Sequence, residues 1–399
     1  MTQSSMRLSS FLVLVFLSLA LVACDSGGSS MDDGTNGGDN GGNNNGAPLS
    51  VSESQSQLGN ADASLSTSTS ELIGGEFSTT LQGLFLTSST STTSSKQTVQ
   101  RPLGFDLVDA IEQQALIQID NNGRLVLSNG AYNWNGSTWS SGGSQNGLVL
   151  NFPTSRNQSS NNAALTLATY DDVAVTIDGE TEYLPKTVNA SLSVGGTDIF
   201  SVDLSNTAFY TEQLEGTQVP KQFDLTILTA PQQHTFSLSS PSKKEFNFGF
   251  ELKRQSGAGD RVVSFQVDAT FKDNFDAVSG TQGVDAVAGQ VGFGPDVTVD
   301  YTVDVAGIEA LGDDPSPSEL NDEFTATMFY QGSKVGTLEL DEEDDILLVY
   351  NDGSTKDPLA DVFDQAYGSV QNSPFSAVTT AAKTAAGSIQ KAVAKVFQP

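Results

Sequence analysis

The sequence holds one cysteine, Cys24, and one histidine, His234, in 399 residues. A single cysteine excludes an intramolecular disulfide, a zinc knuckle and an iron–sulfur centre. A single histidine excludes sites built on two, including the H-E-x-x-H metalloproteases. Positive charge is also scarce: 18 Lys and Arg stand against 48 Asp and Glu, a net charge of -30. That balance argues against a nucleic-acid partner, because phosphate backbones are bound by Lys and Arg that displace counterions. The chain has no G-x-S-x-G elbow, no phosphate-binding G-x-x-x-x-G-K-[ST] loop, and no G-x-G-x-x-G between a strand and a helix. No catalytic motif is found, and no cofactor is implied. Paired carboxylates of the glycosidase kind carry no information among 48 acids. His234, in Pro231-Gln232-Gln233-His234-Thr235-Phe236, reads as an exposed loop or strand-edge residue. A Ser–His–Asp triad assembled in space is the alternative.

What the sequence does have begins at its first residues. Arg7 is the only charge before Cys24, and an apolar run covers Phe11 to Ala23. The run has the length of a signal-peptide core and is shorter than the roughly 20 residues that span a bilayer. Leu21-Val22-Ala23-Cys24 resembles a bacterial lipobox. The resemblance implies cleavage before Cys24, a thioether-linked diacylglycerol and an N-acyl chain on that residue, and a body held outside the cytoplasm. Two or three acyl chains give stable anchoring where one does not. The alternative is an ordinary secretory signal that happens to end near a cysteine. Asp25 resembles an inner-membrane retention signal of some bacteria, and Ser30-Met31-Asp32-Asp33 loosely resembles the acidic export signals of some surface lipoproteins. The outer membrane or cell surface is favoured over the inner membrane.

Cleavage would leave 376 residues of charge -31. Such acidity resembles that of proteins from salt-adapted bacteria, in which hydrated carboxylates keep the surface solvated. Calcium binding by acidic clusters is the rival reading. Residues 24–57 read as the lipidated cysteine and a Gly/Asn/Ser tether, too poor in apolar side chains to offset the entropy of ordering. A coil of that composition has an end-to-end distance of roughly 30 Å. Residues 58–118 are Ser/Thr-rich. Ile73, Phe77, Leu81 and Leu84/Phe85 suggest one helix there, and Phe105, Val108, Ile111 and Ala115 a second. Residues 119–350 read as the β body, with two short strands before it turning at Asn122-Gly123.

Apolar–polar alternation recurs through that body, in Phe246-Asn247-Phe248-Gly249-Phe250 and Val297-Thr298-Val299-Asp300-Tyr301 among others. Tight-turn signals separate the runs, as at Asp178-Gly179, Gly195-Gly196 and Gln331-Gly332. The pattern predicts a mainly β (α+β) chain: a large antiparallel meander with one wet face, curved or half-barrel, with a few accessory helices. Pro315-Ser316-Pro317-Ser318 reads as a loop, with a possible sub-boundary at 312–320 before a final meander of strands 324–330, 334–340 and 345–350. Residues 351–399 read as C-terminal helices. One covers Pro358 to Tyr367. The clearest carries Phe375, Val378, Ala382, Ala385, Ile389, Val393 and Val396 on one stripe, with Lys383, Lys391 and Lys395 away from it. Docking of that stripe on the body is favoured over lying on a membrane, since it is mostly Ala and Val and lacks Trp.

Two local features are candidate sites. Tyr132-Asn133-Trp134-Asn135-Gly136-Ser137-Thr138-Trp139 holds both tryptophans. With Asn135-Gly136 as a two-residue turn, Tyr132 would oppose Trp139 and Trp134 would oppose Ser137, so the three rings share one face. Such a row stacks on sugars if exposed, and caps a core if not. Asp341-Glu342-Glu343-Asp344-Asp345, between two expected strands, reads as a solvated turn protecting a sheet edge. Weak calcium binding through oxygen ligands is the alternative, and no other metal site is suggested.

Gly130, Tyr132, Trp134, Trp139, Phe152 and Pro153 together resemble a G-x-Y-x-W…W hairpin and Phe-Pro strand end found in lipoproteins with no assigned activity. Long meander strands behind a lipobox are also loosely similar to the half-barrel periplasmic lipoprotein carriers. Three functions are therefore expected in order: a non-catalytic structural or interaction lipoprotein, a carrier of a lipid or other hydrophobic ligand, and a carbohydrate-binding or hydrolytic surface protein. The expected partners are the membrane through the anchor, and an envelope protein, lipid or glycan.

Overall fold

A computed structural model describes residues 47–70, 75–85, 102–121, 123–214, 216–255, 261–274, 284–311, 315–342 and 346–363. The leader, Cys24, the tether to residue 46 and the C-terminal stripe lie outside them. Three helices come first, α1 (Val51–Ser70), α2 (Glu76–Phe85) and α3 (Leu103–Gln113), followed by a small hairpin of β1 (Ile117–Ile119) and β2 (Leu125–Leu127). Seven strands come next: β3 (Gly130–Trp134), β4 (Trp139–Gly143), β5 (Leu148–Phe152), β6 (Ala163–Ile177), β7 (Glu180–Val194), β8 (Thr197–Leu214) and β9 (Thr217–Thr229). Five more are β10 (Gln232–Ser242), β11 (Glu245–Arg254), β12 (Arg261–Phe271), β13 (Val284–Phe293) and β14 (Val297–Asp304). Two short helices, α4 (Val305–Leu311) and α5 (Pro317–Glu323), lead to β15 (Phe324–Tyr330), β16 (Ser333–Leu340), β17 (Ile346–Tyr350), β18 (Lys356–Pro358) and α6 (Leu359–Val362).

The chain is mainly β. Sixteen strands follow the order β18-β17-β16-β15-β14-β13-β12-β11-β10-β9-β8-β7-β6-β5-β3-β4, a linear order that does not close on itself. It is the expected meander with one exception. β3 pairs antiparallel with β4 but parallel with β5, which makes the sheet mixed. A parallel neighbour needs a crossover, and β4 with its flanking turns supplies one.

The strands divide between two compact units. Among the described residues the first covers 75–234 and the second 47–70 with 235–363. The boundary therefore falls at His234/Thr235 inside β10, and the expected division at 312–320 lies within the second unit. There α4 and α5 merely link β14 to β15, which pair directly from Val297↔Tyr330 to Val303↔Phe324. Ser316 is not in a plain loop but is the N-cap of α5, in a reciprocal capping box with Glu319 and with Pro317 opening the helix.

In the first unit, Phe77, Leu81 and Leu84 of α2 and Leu103, Leu107, Ala110 and Ile111 of α3 form helical stripes. They bury against Leu148, Leu150, Phe152, Leu192 and Phe200 of the sheet, with Phe77 stacked on Phe200 at 5.3 Å.

In the second unit, α1 begins inside the segment read from sequence as tether. Ser50 and Glu53 explain why. Glu53 N–H donates to the Ser50 hydroxyl at 3.4 Å, and the Glu53 carboxylate accepts from Ser50 N–H at 3.1 Å. The Ser50 hydroxyl also donates to that carboxylate, and this bond first, then the one from Ser50 N–H, holds the Glu53 carboxyl below its usual range. The buried side of α1 is Ser54, Leu58, Ala61 and Asp62, at helical spacing but half polar. Leu58 and Ala61 pack on Val297, Val299, Ala326, Met328, Leu348 and Tyr350.

Candidate docking face

The register of β11 to β15 sorts the second unit's sheet into two chemically opposite faces. One cross-strand row is Phe250↔Phe265↔Val291↔Val299↔Met328, and the next is Phe248↔Val267↔Gly289↔Tyr301↔Ala326. Flanking rows hold Leu252, Val263, Phe293, Val297 and Tyr330 on one side, and Phe246, Ala269, Val287, Val303 and Phe324 on the other. No charged side chain interrupts these four rows. The opposite face carries Glu251, Gln266, Asp268, Gln290 and Asp300, with Gln290 donating to Asp300 at 2.7 Å and Gln266 to Asp268 at 3.0 Å. Strand alternation produces this split directly, since successive side chains point to opposite faces.

Helix α1 covers the β14–β17 part of the apolar face, where Val297, Met328, Val335 and Leu348 are fully buried, and reaches β12. Toward β11 and β10 the face is aromatic and less covered. Phe265 is 37% exposed, and Phe246, Phe248 and Phe250 are half-buried. Their rings form a chain: Phe236 to Phe250 at 5.0 Å, Phe250 to Phe265 at 5.4 Å, Phe248 to Phe265 at 5.5 Å and Phe246 to Phe271 at 5.7 Å. Gly289 makes room in this surface. A Cβ there would meet Gln266 O and the Tyr301 hydroxyl, which itself donates to Gln266 O at 3.1 Å. The rings thus form a continuous apolar, partly exposed surface on a chain of net charge -30.

Two polar clefts lie elsewhere. The first, of about 500 Å³ in the first unit, is lined by Asp120, Arg124, Leu125, Thr169 and Tyr170 among others. Arg124 bonds the nearly buried Asp172 through Nη2 at 2.8 Å and through Nε at 3.1 Å, and lies over the Tyr183 ring. This pair clamps the β1–β2 hairpin to the sheet and raises the Arg124 pKa. Burial, and then the Asp172 charge, push Tyr170 up to about 12. The second cleft, of about 360 Å³ in the second unit, is lined by Gln55, Asp62, Tyr350, Asp357 and Asp361. The Tyr350 hydroxyl donates to Asp357 Oδ2 at 2.9 Å and Gln55 Nε2 donates to the same oxygen at 3.0 Å. Both sets of bonds tie neighbouring elements together within their own unit.

The sequence candidates fall differently. Trp134 and Trp139 are buried, at 8% and 4% exposure, and Tyr132 is half-buried against the same core. They share a face, but the row of open rings that sugar stacking needs is absent. The turn is four residues long, so Trp134 opposes Trp139 and Tyr132 opposes Ser141. Asn135 closes it, its N–H donating to Thr138 O and its Oδ1 accepting from the amides of Ser137 and Thr138. Gln114, just after α3, then brackets Trp139, accepting from its N–H at 2.6 Å and donating to its carbonyl at 2.9 Å.

His234 is not an exposed loop residue. It lies in β10, partly buried, with Nε2 3.4 Å from the Thr229 hydroxyl, and burial lowers its pKa. Asp341 and Glu342 follow β16, while Glu343, Asp344 and Asp345 lie outside the described residues. Among the described residues no group of three or more His, Cys, Asp or Glu is arranged to hold a metal ion. No described helix is long and apolar enough to cross a membrane.

In the sequence the aromatic face is visible only as alternation in β11 and β12. The signal was five phenylalanines, Phe246, Phe248, Phe250, Phe265 and Phe271, spaced so that all reach one side. No family model, curated protein or solved structure matches the chain.

Proposed function

We propose that this protein is a lipid-anchored lipoprotein of the cell envelope with a non-catalytic, interaction role. The observation that carries the anchoring is Leu21-Val22-Ala23-Cys24 after an uncharged apolar run, with the chain's only cysteine at the acylated position. Diacylglycerol and an N-acyl chain on Cys24 would hold the protein on the outer membrane or cell surface, and the Gly/Asn-rich residues 25–46 would set the body off from it. The aromatic surface of β10–β13 supports the interaction role, since it offers a continuous apolar contact area.

Metabolic labelling with an alkyne fatty acid tests the anchor. The intact chain takes up label and sediments with membranes, and Cys24→Ser abolishes both; label retained in Cys24→Ser overturns the reading. The same surface also favours a carrier of an acyl chain. Native mass spectrometry of a soluble form beginning at residue 47, which keeps α1, separates the two roles. A co-purifying apolar ligand establishes the carrier, and a ligand-free mass the interaction role.

A further inference from the structure

We propose that the cleft between the β1–β2 hairpin and β6 is a binding site for a neutral carbohydrate. The inference goes beyond the interaction reading of the aromatic face, which lies in the other unit, and holds whether or not Cys24 is acylated.

Four observations lead to it. The first is that the cleft has a wall of its own. β1 and β2 form a two-stranded sheet separate from the sixteen-stranded one. The hairpin is fixed at its base, where Ser128 N–H donates to Leu116 O at 2.9 Å, and beside its turn, where Arg124 reaches Asp172 of β6. Its residues line one side of the cleft, whose volume of about 500 Å³ falls within the roughly 300–1,000 Å³ of small-ligand sites.

The second is that β6 is irregular where it meets the cleft. Its register with β7 shifts between Leu167 and Thr169 and again between Asp171 and Asp172, so Thr169 and Tyr170 lie between two irregularities. Bulges re-aim the side chains around them and concentrate beside functional sites. Gly147, just before β5, fits against the first irregularity. It has φ +76°, and a Cβ there would meet Leu167 O and Ala168 O, so no side chain is accommodated at that point of the lining.

The third is the chemistry of the lining. Asn129 and Thr169 are exposed there, beside the Asp120 carboxylate and the Arg124 guanidinium. Val126, 47% exposed between the core-packed Leu125 and Leu127, and the half-buried Tyr170 add an aliphatic and an aromatic surface. A sugar matches this mixture, because its hydroxyl edges both donate and accept while its C–H faces rest on apolar groups. The fourth is charge. Asp172 already engages Arg124 through Nη2 and Nε, so an anion entering the cleft meets Asp120 and Asp172 against a single, paired cation. A cation meets Arg124 on the same lining. Both signs are opposed, which leaves a neutral polyol.

Saturation-transfer difference NMR tests the proposal on a soluble chain from residue 24 bearing Cys24→Ser. The probes are maltose, cellobiose, lactose and chitobiose at millimolar concentration. At least one is expected to receive saturation. Asn129→Ala and Thr169→Ala, both exposed positions, are each expected to weaken its binding by about two- to tenfold, the effect of one lost hydrogen bond, with tryptophan emission unchanged. Phe265→Ser, on the aromatic face of the second unit, is expected to leave binding intact. No transfer to any of the four sugars overturns the proposal. So does binding that Phe265→Ser abolishes and the cleft substitutions spare, which would place the sugar on the aromatic face. Spermidine and inorganic phosphate serve as charged probes: tighter binding of either than of the sugars, lost in Asn129→Ala and Thr169→Ala, overturns the neutral class.

Discussion

Trp134 and Trp139 face each other across the β3–β4 hairpin, ring centroids 5.3 Å apart and planes inclined by 64°. Trp139 also meets Phe152 edge-on at 6.4 Å, and its indole N–H points to Leu107 O at 3.4 Å. The hairpin is thus a lid on the first unit's core, held by α3 through Gln114. Trp139→Ala is expected to destabilise the first unit by about 3–5 kcal/mol, the range for removing a buried aromatic. Trp139→Phe keeps the edge contact and is expected to cost less. Both tryptophans lie in the first unit, so chemical denaturation followed by Trp134 emission reads this unit specifically.

The hairpin also shows how far sequence reasoning reached. Alternation and turn chemistry located most strands, and the final meander, expected at 324–330, 334–340 and 345–350, is found at Phe324–Tyr330, Ser333–Leu340 and Ile346–Tyr350. Periodicity reports that three rings share a face. It does not report whether α3 lies over that face, because this depends on contacts between Leu107 and Trp139, distant in sequence. Helix α1 was illegible for another reason. Of the four buried positions among its described side chains, two, Ser54 and Asp62, are polar, so its stripe looks like tether. Only the S-x-x-E signal at Ser50–Glu53 marked its start. The parallel β3–β5 pair was equally hidden, since local alternation is the same for either strand direction.

If α1 is core and not tether, its apolar contacts must matter to the second unit. Leu58 is 1% exposed against Met328 and Leu348. Leu58→Ala is expected to cost about 2–5 kcal/mol. Limited proteolysis gives an independent check. Cleavage of the mature chain is expected to stop near residue 50, and Leu58→Ala is expected to let it proceed through 51–70. Resistance that begins only after residue 70 would contradict the packing of α1.

The Arg124–Asp172 clamp is asymmetric: the guanidinium side is 47% exposed and the carboxylate side 4%. Removing Arg124 strands a buried charge, whereas removing both leaves none. Arg124→Ala is therefore expected to lower the unfolding midpoint more than the Arg124→Ala/Asp172→Ala double variant does. A double-mutant cycle measures this, and additive effects would show that the pair does no coupling.

Alkaline pH probes two phenols, the buried Tyr350 and the partly buried Tyr170. Burial first, then Asp172, pushes Tyr170 up to about 12, and burial with the Asp357 hydrogen bond also raises Tyr350. A raised phenol pKa means the folded state holds the proton more tightly than the unfolded chain. The stabilisation is complete below about pH 10, the ordinary phenol value, and is lost as pH rises from there toward 12. Unfolding midpoints measured between pH 8 and 12 are expected to fall over that window. Tyr170→Phe and Tyr350→Phe are each expected to flatten the fall, Tyr350→Phe without changing the tryptophan environment of the first unit.

Acid pH probes the turn that carries the chain from β17 to α6. Asp352 accepts from the Thr355 hydroxyl at 2.6 Å and amide at 2.9 Å, and from the Ser354 amide at 3.0 Å. These bonds, the Thr355 hydroxyl foremost, hold its carboxyl at about 2. A depressed carboxyl favours the fold above the ordinary value near 4, and that contribution is lost as pH falls from about 4 through 2. Carbon-detected NMR is expected to place the Asp352 midpoint near 2. Asp352→Ala is expected to speed amide exchange at Thr355 and Lys356 while leaving β15 and β16 protected. The turn pairs β18 with β17 and so sets where α6 and Phe363 lie.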